Sequence, residues 1–185
     1  LNANRGQCNF TLDSVHATNN PLAQIIQSLA GSGITISNIQ TNLPTSSSLY
    51  GSFSCGSAAK LGLESGLVLT SGSVFNAKGP NSESGKTGEN FPPLAGYSLL
   101  DGIANGAGYD AVWVSFDIVS ITDSIKFDYV FASEEYKEFV GSDYNDVFGF
   151  FISGPGITGT QNLAVLPNST TPVTINSINH LDNPQ

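Results

Sequence analysis

The sequence predicts a mostly β fold, a β-sandwich-like arrangement of antiparallel or mixed sheets with one packed N-terminal helix and long structured loops. Apolar and polar residues alternate in several segments from residue 34 onwards, which is the pattern of half-buried strands. Only one segment has the apolar spacing of a helix. Charged residues make up 11% of the 185 residues, well below the average for soluble proteins, so Ser, Thr, Asn and Gly supply the polar surface. That composition is typical of an extracellular β module.

The helix is predicted directly after Asn19-Asn20-Pro21, an asparagine cap followed by proline at the first helical position. Apolar side chains then occur at i, i+3, i+4 and i+7, namely Leu22, Ile25, Ile26 and Leu29. Gly31 and Gly33 end the helix.

Strands are predicted where the period changes to two or where a short run is wholly apolar. The predicted strands are 34–36, 67–69, 112–118, 125–131 and 147–152, with weaker ones at 163–166 and 173–175. The run 147–152 is apolar throughout, which predicts burial on both faces. Residues 76–108 contain seven glycines and are expected to form a long loop with at most a short helix near Tyr97–Leu100.

Length and charge limit the possible functions. The chain, residues 1–185, is long enough for one domain with a sizeable core. No run of 18 apolar residues is present, so no membrane span is expected. The net charge of −9 repels phosphate backbones, so nucleic-acid binding is not expected. The chain starts at Leu1, which we interpret as the start of a mature or excised piece.

Two cysteines, Cys8 and Cys55, are present. They are too few for a four-ligand zinc site and do not form a C-x-x-C motif. A structural disulfide and two separate buried thiols both remain open, and the extracellular composition favours the disulfide.

Ten of the fifteen acidic residues lie between Asp101 and Asp146, accompanied by only two lysines. The densest part, residues 133–146, lies between two apolar segments. Carboxylates at this density repel one another unless solvent, protons or a cation relieve the repulsion. Carboxylate, Asn and backbone oxygens are the ligands of a hard cation, and Ca²⁺ tolerates irregular geometry best. A calcium site and a merely solvated acidic loop both remain open.

This segment is not an EF-hand, because the glycine at the sixth position and the bidentate glutamate are missing. Any site must therefore combine separate segments. Tyr136 and Tyr144 flank the acids, and a tyrosine beside a cation can also line a ligand pocket.

Catalysis is not expected. His16 and His180 have no partner in any recognisable motif, and no nucleophile elbow is present. Glu134 and Glu135 suggest a glycosidase pair, but adjacent residues of a strand point to opposite faces. The sequence therefore predicts a non-enzyme.

Three nearby stretches closely resemble the signature of the choice-of-anchor L domain family: FDYVFASEEY at 127–136, EFV at 138–140 and NDVFGFFISGPG at 145–156. The segments 26–38 and 62–72 and the triplet Gly79-Pro80-Asn81 also resemble parts of that family. The resemblance covers most of residues 20–180. The cysteine pair is not part of the family pattern.

The resemblance implies a secreted bacterial cell-surface protein, often one with a sorting or gliding-motility-type anchor. The sequence is also similar to calcium-dependent peptide-binding modules of large bacterial adhesins, which implies adhesion to a protein, peptide or glycan ligand on another surface. The implied metal ligands are Glu134, Glu135, Asp143, Asn145 and Asp146. The implied ligand contacts are Tyr136, Tyr144 and Asn81.

Domains of this family usually continue past position 185, which implies that C-terminal strands are missing or come from elsewhere. An open sheet edge is then expected to accept a strand of a neighbouring chain. Two other functions remain open: a structural subunit or spacer of a surface layer or filament, and a carbohydrate-active enzyme or lectin.

Overall fold

The computed structural model describes residues 9–14, 21–44, 47–80, 94–104, 106, 108–134 and 136–182. In chain order the helices and strands are β1 (Thr11–Ser14), α1 (Pro21–Leu29), β2 (Ile34–Thr41), β3 (Tyr50–Ser54), β4 (Ser65–Leu69), α2 (Ser98–Ala104), β5 (Val114–Ser120), β6 (Val147–Phe148), β7 (Phe151–Ile152), β8 (Gln161–Asn162) and β9 (Val173–Thr174). Short 3-10 helices cover Gly56–Ala59 and Val74–Lys78.

The chain divides into two compact units. The first contains the described residues up to Pro80 together with Val112–Val130, and the second contains the described residues of 94–111 and those from Phe131 onwards. The described strands form four small antiparallel sheets, none of them closed. The fold prediction is therefore confirmed in part: the described residues form small antiparallel sheets and the predicted N-terminal helix, but a second helix makes the fold a mixed one.

In the first unit, a three-stranded sheet has the order β1-β3-β4, and α1 packs on β3 and β4. The predicted helix is confirmed: Leu22 and Ile26 of its apolar stripe are buried, while Leu29 is partly exposed. Phe53 of β3 faces Gly66 of β4 across the sheet. A Cβ atom at Gly66 would lie 2.7 Å from the Phe53 ring, so any larger residue at this position would require the ring to shift.

The other sheet of this unit pairs β2 with β5, and the register shifts between Ser37 and Gln40. Asn38 lies in this irregularity with a positive φ of 52°, and its amide Nδ2 donates a hydrogen bond to Asp117 of β5. The predicted strands at 34–36 and 112–118 are thus confirmed with slightly different bounds.

The predicted strand at 125–131 is wrong. Residues 124–133 belong to no strand of the described chain, and residues 121–130 are all exposed. Alternation of apolar residues predicts which side chains share a face, whereas a strand is defined by ladder pairing, and none of the described strands pairs with this segment.

The second unit contains α2 and two short ribbons, β6 with β9 and β7 with β8. The single strand predicted at 147–152 is instead divided at Gly149 and Phe150, and its residues are only half-buried. The division arises because the amide of Phe150 donates to the side chain of Asn162 at 3.0 Å rather than to a strand backbone. The most buried side chains of this unit are Ala164, Val173 and Ile175.

Candidate functional site

The acidic segment, residues 133–146, lies in the second unit and passes through consecutive turns into β6. Four of the five predicted metal ligands are described: Glu134, Asp143, Asn145 and Asp146. Glu135 and the predicted ligand contact Asn81 lie outside the described residues.

Asn176, directly after the buried Ile175, fastens this segment to the turn that follows β9. Its side-chain oxygen accepts a hydrogen bond from the amide of Gly141 at 2.6 Å, and its Nδ2 donates to the carbonyl of Ser142 at 3.2 Å. Its backbone amide donates to Oδ1 of Asn145 at 3.0 Å. The side-chain oxygen of Asn145, predicted to bind a metal, therefore already accepts one hydrogen bond. An amide oxygen has two lone pairs, so it can accept a second partner such as a cation.

The role of Asn176 is not visible in the sequence, because a single asparagine in an Asn-rich stretch forms no motif. The backbone supports the same connection: the amide of Ile175 donates to the carbonyl of Asp146 at 3.1 Å. The acidic segment is therefore a hydrogen-bonded part of the second unit.

The carboxylate of Asp146 accepts a hydrogen bond from a serine hydroxyl and acts electrostatically on Tyr136. Its Oδ2 accepts a hydrogen bond from the hydroxyl of Ser133 at 2.6 Å. The hydroxyl of Tyr136 donates to the carbonyl of Ile178. Burial, and secondarily the nearby negative charge of Asp146, raises the pKa of Tyr136 above its usual value. The Tyr136 hydroxyl therefore stays protonated and donates to the carbonyl of Ile178. This is a structural role in addition to the predicted contact with a ligand.

Glu134 is the partly buried acid of this segment. Its Oε2 atom is shielded from solvent and accepts no hydrogen bond within the described structure, although Glu134 makes other contacts. Shielding a carboxylate oxygen from water is costly unless a proton, a donor or a cation reaches it. Carboxylate oxygens are also the donors that a hard cation prefers.

Asp143 and Tyr144 lie on the outer side of the acidic segment. Both are exposed, with 65% of Tyr144 accessible to solvent. The Tyr144 ring packs edge-on against Phe139 with ring centroids 5.2 Å apart, and its backbone amide donates to the hydroxyl of Ser142 at 3.1 Å. An aromatic side chain held in place yet open to solvent is suited to contact a partner.

The described acids do not converge on one point. Among the described residues, no group of three or more His, Cys, Asp or Glu side chains is placed to hold a metal ion. The oxygen donors present, namely carboxylates, an amide oxygen and backbone carbonyls, are nevertheless those of a hard cation. The donor types are therefore those that calcium prefers, but the described acids do not by themselves form a site for it.

The first unit has a shallow groove of about 380 Å³ between α1 and the sheet. It is lined by Gln24, Ile25, Ser28, Leu29, Ser52, Phe53, Ser65 and Gly66. These side chains are apolar or neutral polar, so the described lining of the groove contains no titratable group for acid–base chemistry.

Cys55, the described member of the cysteine pair, is not a free thiol. It begins the 3-10 helix at Gly56–Ala59 with a positive φ of 59°. Cys8 lies outside the described residues, so the predicted pairing of the two cysteines stays a prediction.

The model of the choice-of-anchor L domain matches residues 13–185, nearly the whole chain. No curated protein and no solved structure that was compared matches the chain. Within the described residues, neither helix has the length and apolar character needed to cross a bilayer.

Proposed function

Because the chain belongs to the choice-of-anchor L domain family, a family of surface or anchored protein domains, we propose that it is a calcium-dependent, non-catalytic adhesion domain of a secreted bacterial protein. The domain presents the acidic segment and its flanking tyrosines to a peptide, protein or glycan on another surface.

One observation carries this proposal: hydrogen bonds hold the backbone of the acidic segment in place, while several of its side chains are exposed to solvent. Asn176 and Tyr136 attach it to the turn after β9. The side chains of Asp143, Tyr144 and Asp146 remain exposed to solvent. A loop with its backbone already positioned loses less entropy on binding, which is what a recognition surface requires.

Calcium accounts for the density of negative charge in this segment. Glu134, Glu135, Asp143, Asn145 and Asp146 supply the oxygens that would hold the ion. A bound ion would neutralise the repulsion between these groups and offer a remaining coordination position to a ligand carboxylate. The chain itself positions the donors, since Ser133 orients Asp146 and Asn176 orients Asn145.

Calorimetric titration of the calcium-free domain tests the metal. We expect heat of binding with the native chain and a strong loss with Asp146→Asn, which keeps the shape of the side chain and removes its charge. Asp123→Asn, an exposed acid of the first unit, is the matched control and should bind like the native chain. If the native chain binds no calcium even at about 1 mM, the weakest range of extracellular modules, the proposal fails.

Peptide and glycan arrays, each read with calcium and with a chelator, test adhesion. Binding that requires calcium and is weakened by Tyr144→Ala is expected. A spacer would instead show a calcium-dependent rise in melting temperature with no array ligand. Turnover of a glycan, lost on changing one acid of a still-folded domain, would indicate a carbohydrate-active enzyme.

A further inference from the structure

The strand β4 lies at an edge of its sheet. In the order β1-β3-β4 it pairs with β3, and no other described strand lies beside it. The amide of Thr70, directly after β4, donates to the carbonyl of Leu49 at 2.9 Å. Hydrogen-bonded positions alternate along an antiparallel pair, so the backbone groups of Leu67 and Leu69 point away from β3. The two ends of the strand, Ser65 and Leu69, are exposed to solvent, so this edge is accessible.

The groove between α1 and the sheet opens beside the start of this strand. Two of its lining residues, Ser65 and Gly66, belong to β4, and Ile25 and Leu29 of α1 supply apolar surface. Its volume of about 380 Å³ is near the lower end of the range of about 300–1,000 Å³ for ligand pockets. A shallow groove of this size, lined by uncharged groups, suits amino-acid side chains better than a large cofactor.

We propose that an extended segment of a partner protein adds to β4 as a further strand and places an uncharged side chain in the groove beside α1. The backbone of the partner bonds to the outward groups of Leu67 and Leu69, which supplies affinity whatever the partner's sequence. Alternate side chains of a strand point to the same face, so the groove selects the residue that reaches it. Strand addition needs this combination of an open edge and an adjoining groove.

Charge favours a segment of another protein over a second copy of this chain. The net charge of −9 makes two copies repel one another, whereas a neutral or basic segment is not repelled. No residue of β4 and none of the described groove lining is charged. A charged side chain would find no counter-charge in the groove, and burying it there would be costly. The occupant is therefore an extended neutral or basic peptide with an uncharged residue at the groove.

This inference goes beyond the function proposed above and does not depend on it. The strand β4 and the groove belong to the first unit, whereas the acidic segment belongs to the second. Peptide binding at β4 should therefore persist in a chelator, which removes any calcium from the acidic segment. Measuring in a chelator also separates a failure of this proposal from a failure of the calcium-dependent one.

The probe is a positional-scanning library of soluble peptides of about seven residues, read by fluorescence polarisation with the full chain in a chelator. The native chain should select an uncharged residue at one position, with dissociation constants between about 1 µM and about 1 mM. N-methylation of alternate backbone amides of a selected peptide gives two patterns. One pattern should abolish binding and the other should be tolerated, because only every second amide faces β4.

Two variants test the edge and the groove separately. Leu67→Pro removes an outward amide, which edge strands tolerate, and should weaken peptide affinity about tenfold or more. Its control is Leu67→Ala, which shortens the same side chain, keeps the amide and should bind like the native chain. Ser28→Phe fills the groove from α1 and should also weaken affinity about tenfold or more. Its control is Gln27→Phe, at an exposed position of α1 outside the groove lining.

Circular dichroism checks that each variant folds, and the N-methylated peptides test the same contact on the native chain. The proposal is overturned if no library peptide binds at about 1 mM, or if both N-methylation patterns are tolerated. It is equally overturned if a folded Leu67→Pro or Ser28→Phe binds like the native chain. Sedimentation that shows a native dimer, weakened by Leu67→Pro, would assign this edge to a second copy instead.

Discussion

Removing the side chain of Asn176 is the sharpest test of how the acidic segment is held. Asn176→Ala deletes the acceptor for the amide of Gly141 and the donor to the carbonyl of Ser142. It leaves the backbone bond to Asn145 in place, because that bond uses the amide of residue 176 itself. The change therefore removes two hydrogen bonds and keeps the third.

The cost follows from those two bonds. A protein hydrogen bond contributes about 0.5–1.5 kcal/mol net, so two give about 1–3 kcal/mol. The bond to Gly141 is exposed to solvent, which lets water replace part of it, so about 1–2 kcal/mol is expected. For a chain of this size that free energy lowers the melting temperature by about 2–8 °C.

Differential scanning calorimetry and urea unfolding measure this loss. Gln27→Ala, at an exposed position of α1, truncates a comparable amide side chain and should stay within about 0.5 kcal/mol of the native free energy of unfolding. A melting temperature of Asn176→Ala equal to that of the control would show that the acidic segment is not held by this side chain, and the reasoning about a fixed recognition loop would then be wrong.

Two further predictions concern packing and pH. Gly66→Ala should destabilise the first unit by about 1–3 kcal/mol in urea unfolding, because its Cβ would lie 2.7 Å from the Phe53 ring. Gly102→Ala in α2, where nothing lies within 4 Å, should instead be neutral or stabilising by up to about 1 kcal/mol. Since folding raises the pKa of Tyr136, the unfolded chain loses the phenol proton at a lower pH than the folded chain does. The contribution of this group to the free energy of unfolding is therefore complete below the unfolded pKa of 10.0 and is lost as pH rises through the higher folded pKa. Tyr136→Phe should therefore lose less stability than the native chain above pH 10.0, as measured by unfolding at increasing pH, and an identical decline in both chains would contradict this.

Prediction from the sequence succeeded where one short segment contains all the residues that define its secondary structure. The helix α1 has a cap motif, a proline and an apolar stripe within a few residues, and the structure has it at Pro21–Leu29. The strands β4 and β5 likewise occur where runs of apolar residues or alternation predict them. In each case the information is local, so no knowledge of distant partners was needed.

Predictions failed where the outcome depends on a partner far along the chain. The run at 147–152 is apolar enough for one strand, yet its two halves pair with β9 and β8. Between the halves, the amide of Phe150 donates to the side chain of Asn162. The segment 125–131 alternates as clearly as β5 but lacks a neighbouring strand among the described residues. Alternation therefore defines a face, and pairing decides whether that face becomes part of a sheet.

The candidate site likewise combines a local pattern, which is visible in the sequence, with contacts between distant residues, which are not. Composition identified the acidic segment, because a concentration of carboxylates is visible in the sequence whatever the fold. It did not identify Asn176, which lies 31 residues from Asn145 and acts through contacts with the backbone. A recognition loop needs both kinds of residue, since charged side chains provide the chemistry and uncharged ones position it. If the proposed function is correct, Asn176→Ala and Asp146→Asn should both weaken calcium binding, but only the former should substantially lower the stability of the calcium-free domain.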